Sequence, residues 1–405
     1  MRITSSMEQT LFLAEIGTLQ SNQAQTQNDL STGLAFTEPS QNPTAAGEVA
    51  QYNEALSQSL QYTANANSAQ TSLNTESNAL TQVQSQLQSL YSLTVQANSG
   101  TVSSANLQAI ATQAQQIQSS LLALANTQDG SGNYIFSGYA TQTQPFTATA
   151  TGAAYNGDQG QQQVQIAAGQ TVATGDNGSA VFNQIRSGNG TFAVTAASGN
   201  TGSGLIGTSS VTSASTFATA QASAATAGPY TITFGAPAGA PASSYTVTNA
   251  AGTVASGTYT SGQAIAFNGI QVSLSGTPAV GDSFAVAPST NQSLFTTVQN
   301  LVNALTSGAS GPQLSNALSG SLANLQQGLS QVSTFQSSIG GRLNTITTQL
   351  SVATSQQTQL QKSIGSLQGL DYASAITTLD SENTTLSAAL QSYAQVQGLT
   401  LFKYL

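Results

Sequence analysis

The sequence predicts an α+β multidomain protein: a long antiparallel helical bundle or coiled coil built from both chain ends, with an all-β region inserted between them. Three observations predict it. From Leu318 to Leu367, steps of four and three residues land on fifteen stations, thirteen of them apolar, while Ser, Thr, Gln, Asn and Gly fill the intervals. A seam with an average spacing of 3.5 residues marks a long helix of a bundle or coiled coil, here roughly 75 Å at 1.5 Å per residue. A second seam runs through Tyr52, Ala55, Tyr62, Ala66, Ala69, Leu73, Leu80, Val83, Leu87, Leu90 and Ala97, interrupted only at Glu76. Between the two seams the period falls to two, with short alternating runs set between Gly-rich turns.

In chain order, residues 1–35 carry a thin helical stripe of Phe12, Ile16, Leu19 and Leu30, with polar Gln23 and Thr26 at the stations between. Pro39 and Pro43 then break any helix, and Asn42-Pro43 reads as the N-cap and first residue of the next. That rod extends to about Asn98 and stops at Gly100. Ser104 is expected to cap a third helix, with the stripe Leu107, Ile110, Ala114, Ile117, Leu121 and Leu124, ended by Asp129-Gly130.

Strand patterns follow at Val164–Ile166, Tyr230–Phe234 and Tyr245–Thr248. The strongest joins Ala264–Phe267 to Ile270–Leu274 through Asn268-Gly269, a hairpin signal with a mechanism, since both turn residues must adopt positive φ. Residues 187–228, rich in Gly, Ser, Ala and Thr, read as loop, linker or weak strands. After Pro288 the helical period returns at Leu294, Val298, Leu301 and Leu305, breaks over Gly308–Pro312, and continues as the long seam. Gly340-Gly341 inside that seam is expected to mark close helix packing, with a bend as the alternative. A last helix opens near Asp371 and carries Ile376, Leu379, Leu386, Leu390, Tyr393, Val396 and Leu399. The expected domains are 1–42 with 371–405, 43–132 with 290–370, and 133–289 as the β insertion.

Composition removes most chemistry. Charged residues are 5% of the chain and the net charge is −9, so polar uncharged side chains must solvate the surface. The five cations are scattered, which leaves no basic stripe for nucleic acid. No run approaches the roughly 18 apolar residues of a membrane span, so no membrane insertion is expected. Met1-Arg2-Ile3-Thr4 begins like a leader, but Glu8, Gln9 and Glu15 interrupt the apolar run, so export without a cleaved Sec-type leader is expected. With neither His nor Cys, Ser-His and Cys-His catalysis and zinc sites on those ligands are excluded. Asp129-Gly-Ser131-Gly-Asn133 imitates half a calcium loop, yet Ala140 stands where the bidentate Glu is needed, so a turn is the expected reading. Asp158, Asp176 and Asp282 read as turn residues. No enzyme, cofactor or metal is expected.

Several segments carry a family resemblance. Leu30-Ser31-Thr32-Gly33 followed by Pro39-Ser40-Gln41-Asn42-Pro43 resembles the N-terminal signature of the flagellin-like axial proteins of bacterial flagella. Leu34 follows Gly33 where the pattern usually has Arg, and Gln41 and Asn42 replace its acids. Gly341-Arg342-Leu343-Asn344, Asp371-Tyr372-Ala373 and Leu386–Leu390 resemble the matching C-terminal region. Gly132–Gly138, Gln144-Pro145-Phe146 and Tyr155–Asp158 are similar to the members found at the junction of hook and filament. The resemblance covers about 1–185 and 290–405, and it implies that 187–289 is a variable part of the insertion. It further implies a structural subunit exported unfolded, met by an export chaperone, and assembled as a ring of its own copies. Its terminal helices would line the inner tube, between another hook-associated protein and flagellin. The assembly interface is then expected on Phe12, Ile16, Leu19, Leu30, Leu379, Leu386, Leu390, Tyr393, Leu399 and Leu405. Filament flagellin and an exported adhesin or needle-tip protein are the alternative readings.

Overall fold

The structure, a computed structural model, describes residues 5–100, 102–223, 227–235 and 243–398. Three helices open the chain: α1 (Ser5–Thr32), α2 (Pro43–Ala97) and α3 (Ser104–Ala125). Four short strands follow, β1 (Phe146–Thr149), β2 (Gly152–Tyr155), β3 (Gln163–Ala167) and β4 (Gln170–Ala173), then a π-helical turn at Ser179–Asn183 and β5 (Ile185–Arg186). The insertion holds β6 (Phe192–Ala196), β7 (Leu205–Val211), α4 (Ala214–Ala222), β8 (Tyr230–Phe234), β9 (Ser244–Asn249), β10 (Gly252–Thr258), β11 (Ala264–Phe267), β12 (Ile270–Ser275) and β13 (Ser283–Pro288). After β14 (Asn291–Gln292) come α5 (Leu294–Thr306), α6 (Gly311–Gln368) and α7 (Tyr372–Gly398). The chain forms two compact units, residues 1–64 with 348–405 and residues 65–347, and α2 and α6 contribute to both.

In the larger unit the two seams meet. Leu73, Leu80, Val83, Leu87 and Leu90 of α2 are fully buried, as are Leu318, Leu325, Val332, Ile339 and Ile346 of α6. Side-chain bonds from Ser315 to Asn98 (2.6 Å) and from Gln336 to Thr81 (3.2 Å) fix the antiparallel register. Close approach occurs at Gly328, where an added Cβ would stand 3.2 Å from Leu294 and 3.8 Å from Leu87. At Gly340 and Gly341 the space is open and α6 continues through both, so the expected tight packing lies twelve residues earlier than the glycine pair suggested.

The third helix begins one residue earlier than its expected cap: Ser103 accepts from the Asn106 amide at 3.3 Å. It also stops earlier, because the Asn126 side chain turns away to pair with the Phe146 backbone, donating to its carbonyl (2.8 Å) and accepting from its amide (2.9 Å). α3 packs on α5, and beneath them Phe136, Phe146, Phe182 and Phe295 are all fully buried. Their rings meet edge-on or tilted at 5.1–5.9 Å, the geometry aromatic quadrupoles favour.

The insertion is entered and left through the two-residue ladder of β5 with β14. Beyond it lie a five-stranded antiparallel sheet ordered β10-β9-β8-β13-β6 and a three-stranded sheet ordered β11-β12-β7. The two sheets share one core that includes Tyr230, Ile232, Phe234, Val272, Leu274 and Phe284. Asn268 (φ 46) and Gly269 (φ 78) form the turn between β11 and β12 as their residue types require. The low-complexity stretch contains two strands and a helix, β6, β7 and α4. Phe192 and Phe217 anchor them 6.4 Å apart, and the Ser213 hydroxyl caps α4.

In the smaller unit α2 continues antiparallel to α6, with the Gln357 amide donating to Ser59 (3.2 Å) and Thr63 (3.0 Å). Asn42 caps α2 by accepting from the Ala45 amide at 3.1 Å. The connections of α1 to α2 and of α6 to α7 bind each other: the Ala35 amide donates to the Gln368 carbonyl (2.8 Å) and the Leu370 amide to that of Gly33 (3.0 Å). Gly33 sits at φ +72, and an added Cβ would meet the Tyr372 hydroxyl at 2.7 Å. Gly33→Ala therefore combines backbone strain with a clash, and is expected to cost more than about 1 kcal/mol. Faster hydrogen exchange at the Ala35 and Leu370 amides, with protection in the larger unit unchanged, would register it.

Candidate assembly interface

The expected interface residues lie on two helices whose stripes are too thin to bury each other. α1 and α7 lie side by side; Phe12 stacks on Tyr393 at 5.1 Å and 10°, and the Gln9 amide reaches the Tyr393 hydroxyl at 3.2 Å. Gln23, which interrupts the α1 stripe, donates instead to Asn383 at 2.6 Å, so a polar bond replaces an apolar station. Asp371 caps α7 by accepting from Ala373 (3.0 Å) and Ser374 (3.2 Å).

Of the expected interface positions only Ile16 is buried, at 8% exposure. Phe12, Leu19, Leu30, Leu379, Leu386 and Tyr393 are half-buried, and Leu390 is 46% exposed. Leu399 and Leu405 lie outside the described residues. The pair leaves a second apolar set uncovered, outside the expected interface positions: Met7, Leu11, Leu13, Tyr372 and Ile376 are all at least half exposed. Eight of the eleven large apolar side chains that are exposed among the described residues fall in the smaller unit, which contains less than a third of the chain. Exposed large apolar side chains concentrated on one helix pair in this way are what an assembly face offers.

A polar cluster in the larger unit was hidden in the sequence. Glu76, the interruption in the α2 seam, is 1% exposed and accepts from the Asp176 amide at 3.2 Å. Asp176 is buried and bonds Arg342 of α6 at 2.8 Å and Gln161 at 2.7 Å, so it is an ion-pair partner rather than a simple turn residue. Burial, reinforced by the Asp176 charge and only partly offset by Arg342, pushes the Glu76 carboxyl well above the ordinary range. Asp158 and Asp282 do serve turns: Asp158 accepts from Tyr139 (2.9 Å) and Gly160 (2.7 Å), and Asp282 from Thr201 (2.8 Å), Gly202 (3.0 Å) and Ala279 (2.9 Å). Asp129 likewise closes its own loop on Ser131 and Asn133.

Helices from both chain ends around a β insertion are the architecture of the flagellin-like class, and residues 3–141 match the family model of the bacterial flagellin N-terminal helical region. Among solved structures the chain is similar to FlgL of Xanthomonas campestris, with a TM-score of 0.66 and 32% identity over 76% of this chain and 99% of that one. It is similar also to the flagellar junction protein FlgL of Legionella pneumophila, with a TM-score of 0.65 and 30% identity over 74% and 99% of the two chains. Flagellar hook-associated protein 3 of Salmonella typhimurium is 33% identical over 187 residues, 46% of this chain and 58% of that protein. The chain belongs to the FlgL family, the family of flagellar hook-associated protein 3. Its matched part thus spans little more than half the length of the Salmonella relative. Family membership gives it a flagellar location, among other components of that organelle. No helix among the described residues is long and apolar enough to cross a membrane.

Proposed function

We propose that the chain is a structural subunit joining hook to filament, built into a ring of its own copies through α1 and α7. The observation that carries this reading is the concentration of exposed apolar side chains on that helix pair. In the ring the set Phe12, Ile16, Leu19, Leu30, Leu379, Leu386, Leu390, Tyr393, Leu399 and Leu405 meets neighbouring subunits. Another hook-associated protein lies on one side and flagellin on the other. Residues 1–42 with 371–405 act as the assembly segment, 43–132 with 290–370 as the supporting bundle, and 133–289 as the outward β domain. The subunit is exported unfolded, with a chaperone holding its apolar ends; a chain without cysteine cannot be trapped by disulfides on the way. It has no catalytic activity and binds no cofactor.

Immunogold labelling with an antibody against the insertion tests the position. A single narrow band where hook meets filament is expected. Labelling along the whole filament would make the chain a filament flagellin, and labelling only at a distal tip would favour the adhesin or needle-tip reading.

A further inference from the structure

We propose that Glu76 is carried as the neutral acid in the folded chain, forming a proton-binding site that weakens the larger unit as pH rises. Glu76 and Asp176 are 1% and 5% exposed, and the one cation against them, Arg342, is engaged by Asp176 through its Oδ1 at 2.8 Å. Glu76 Oε1 accepts from the Asp176 amide, whereas Glu76 Oε2, Asp176 Oδ2 and Arg342 Nη1 are buried without a partner. Both residues line a cavity of about 90 Å³, and the open position beside Gly175 lies 3.6 Å from Glu76 Oε2 and 3.7 Å from the Ile135 carbonyl. The two atoms nearest that position are both acceptors. A second buried carboxylate would therefore have to share the single Arg342 guanidinium with Asp176, leaving one negative charge uncompensated, an arrangement that costs several kcal/mol and is relieved by protonation.

The other charged and titratable groups facing the cavity do not change the count. From Ala69 to Val83, α2 contributes no titratable side chain except Glu76. The segment across the cavity brings Asp129 and Tyr134, and the Asp129 carboxylate adds negative potential while its own bonds go to Ser131 and Asn133. Asp158 is held by the Tyr139 and Gly160 amides. One guanidinium thus stands against more than one carboxylate, and a proton on Glu76 leaves a single neutral pair, Asp176 with Arg342.

The direction of the pH effect follows. The unfolded chain releases the Glu76 proton near the ordinary value of 4.5, and the folded chain holds it to higher pH. Between the two values the folded state binds more protons. The contribution is complete below the unfolded value and is lost as pH rises through the folded one.

Denaturant unfolding of the full chain and of Glu76→Gln across this range tests the proposal, since the amide imitates the neutral acid. Wild-type folding is expected to weaken relative to Glu76→Gln by up to about tenfold in equilibrium constant for each pH unit in the window. An infrared carboxylic-acid band is expected to persist in the folded wild type above the pH at which an ordinary Glu ionises, and to be absent from Glu76→Gln. Should Glu76→Gln fail to fold, Asp176→Asn supplies the second arm. Removing the Asp176 charge leaves Arg342 to act on Glu76, so the acid band should disappear at a lower pH than in wild type. Parallel wild-type and Glu76→Gln profiles, an acid band in the folded wild type that vanishes where an ordinary Glu ionises, or an Asp176→Asn band that persists to the wild-type pH would overturn the proposal. So would stabilisation by added calcium that Glu76→Gln abolishes, because a cation would then be the neutralising partner.

Discussion

Replacing Leu386 and Leu390 by Asp is expected to abolish attachment of filaments while leaving the melting temperature of the isolated chain nearly unchanged. In the single chain Leu386 is half-buried and Leu390 is 46% exposed, so neither supports a core the monomer depends on. α1 and α7 have 28 and 27 residues, and fixing each residue costs about 1–2 kcal/mol of backbone entropy. A two-helix pair with one buried apolar station among those named on α1 offers little to offset that cost, since most helix stability comes from tertiary packing. In the proposed ring the missing surface comes from neighbouring subunits, so that assembly stabilises the α1–α7 pair that the single chain holds only weakly. Two carboxylates placed in that proposed interface would each lack a counter-charge, a penalty of several kcal/mol apiece. Motility, electron microscopy of the hook ends and calorimetry of the purified chain read the two halves of the expectation separately. If the variant unfolds as a soluble monomer, the chain ends belong to the monomer's own core and the coupling is refuted.

The parts of the fold legible in the sequence are those where one periodic pattern controls a long stretch. The seams of α2 and α6 repeat over many turns, so single errors do not change the period, and Asn268-Gly269 reveals its hairpin because few residue pairs tolerate two positive φ values. The strands β6 and β7 were hidden for the opposite reason. Their exposed faces are Ser, Thr, Ala and Gly, the composition of a loop, and only Phe192, Val194, Ile206 and Val211 betray the inward side. The Glu76 cluster was hidden because its members stand 100 and 166 residues apart in sequence, and the lone sign was a charged residue at an apolar station. Gly340-Gly341 misled because a glycine pair signals missing side chains without saying whether another helix occupies the space, and here none of the described atoms does. On α1 and α7 the sequence showed an apolar stripe but not the second exposed set. Met7, Leu11 and Leu13 fall off the seam, and an off-seam apolar residue has no meaning until its exposure is known.

Phe146→Ala is expected to destabilise the larger unit by about 3–5 kcal/mol, the range for removing a fully buried aromatic ring. The Phe146 ring lies 5.1 Å from those of Tyr155 and Phe295 and 5.5 Å from that of Phe182, so its loss removes partners from three segments at once. Those segments are β2, α5 and the π-helical turn, and the backbone of Phe146 is itself pinned to Asn126 at the end of α3. Rigid rings held by separate elements cannot move together to fill the space, so the cavity term adds to the lost transfer energy rather than relaxing away. Tyr155 supplies a local reporter. Its hydroxyl donates to the Asp158 carbonyl at 2.6 Å and to that of Phe136 at 3.1 Å, and burial together with the nearby Asp158 charge raises its pKa to about 12. The variant should shift the denaturation midpoint and weaken the near-ultraviolet tyrosine signal. Phe217→Ala, at a half-buried ring on the insertion, should cost much less. A loss below about 1 kcal/mol for Phe146→Ala, or an equal loss for both variants, would show that this aromatic cluster is not what joins the β segments to the helices.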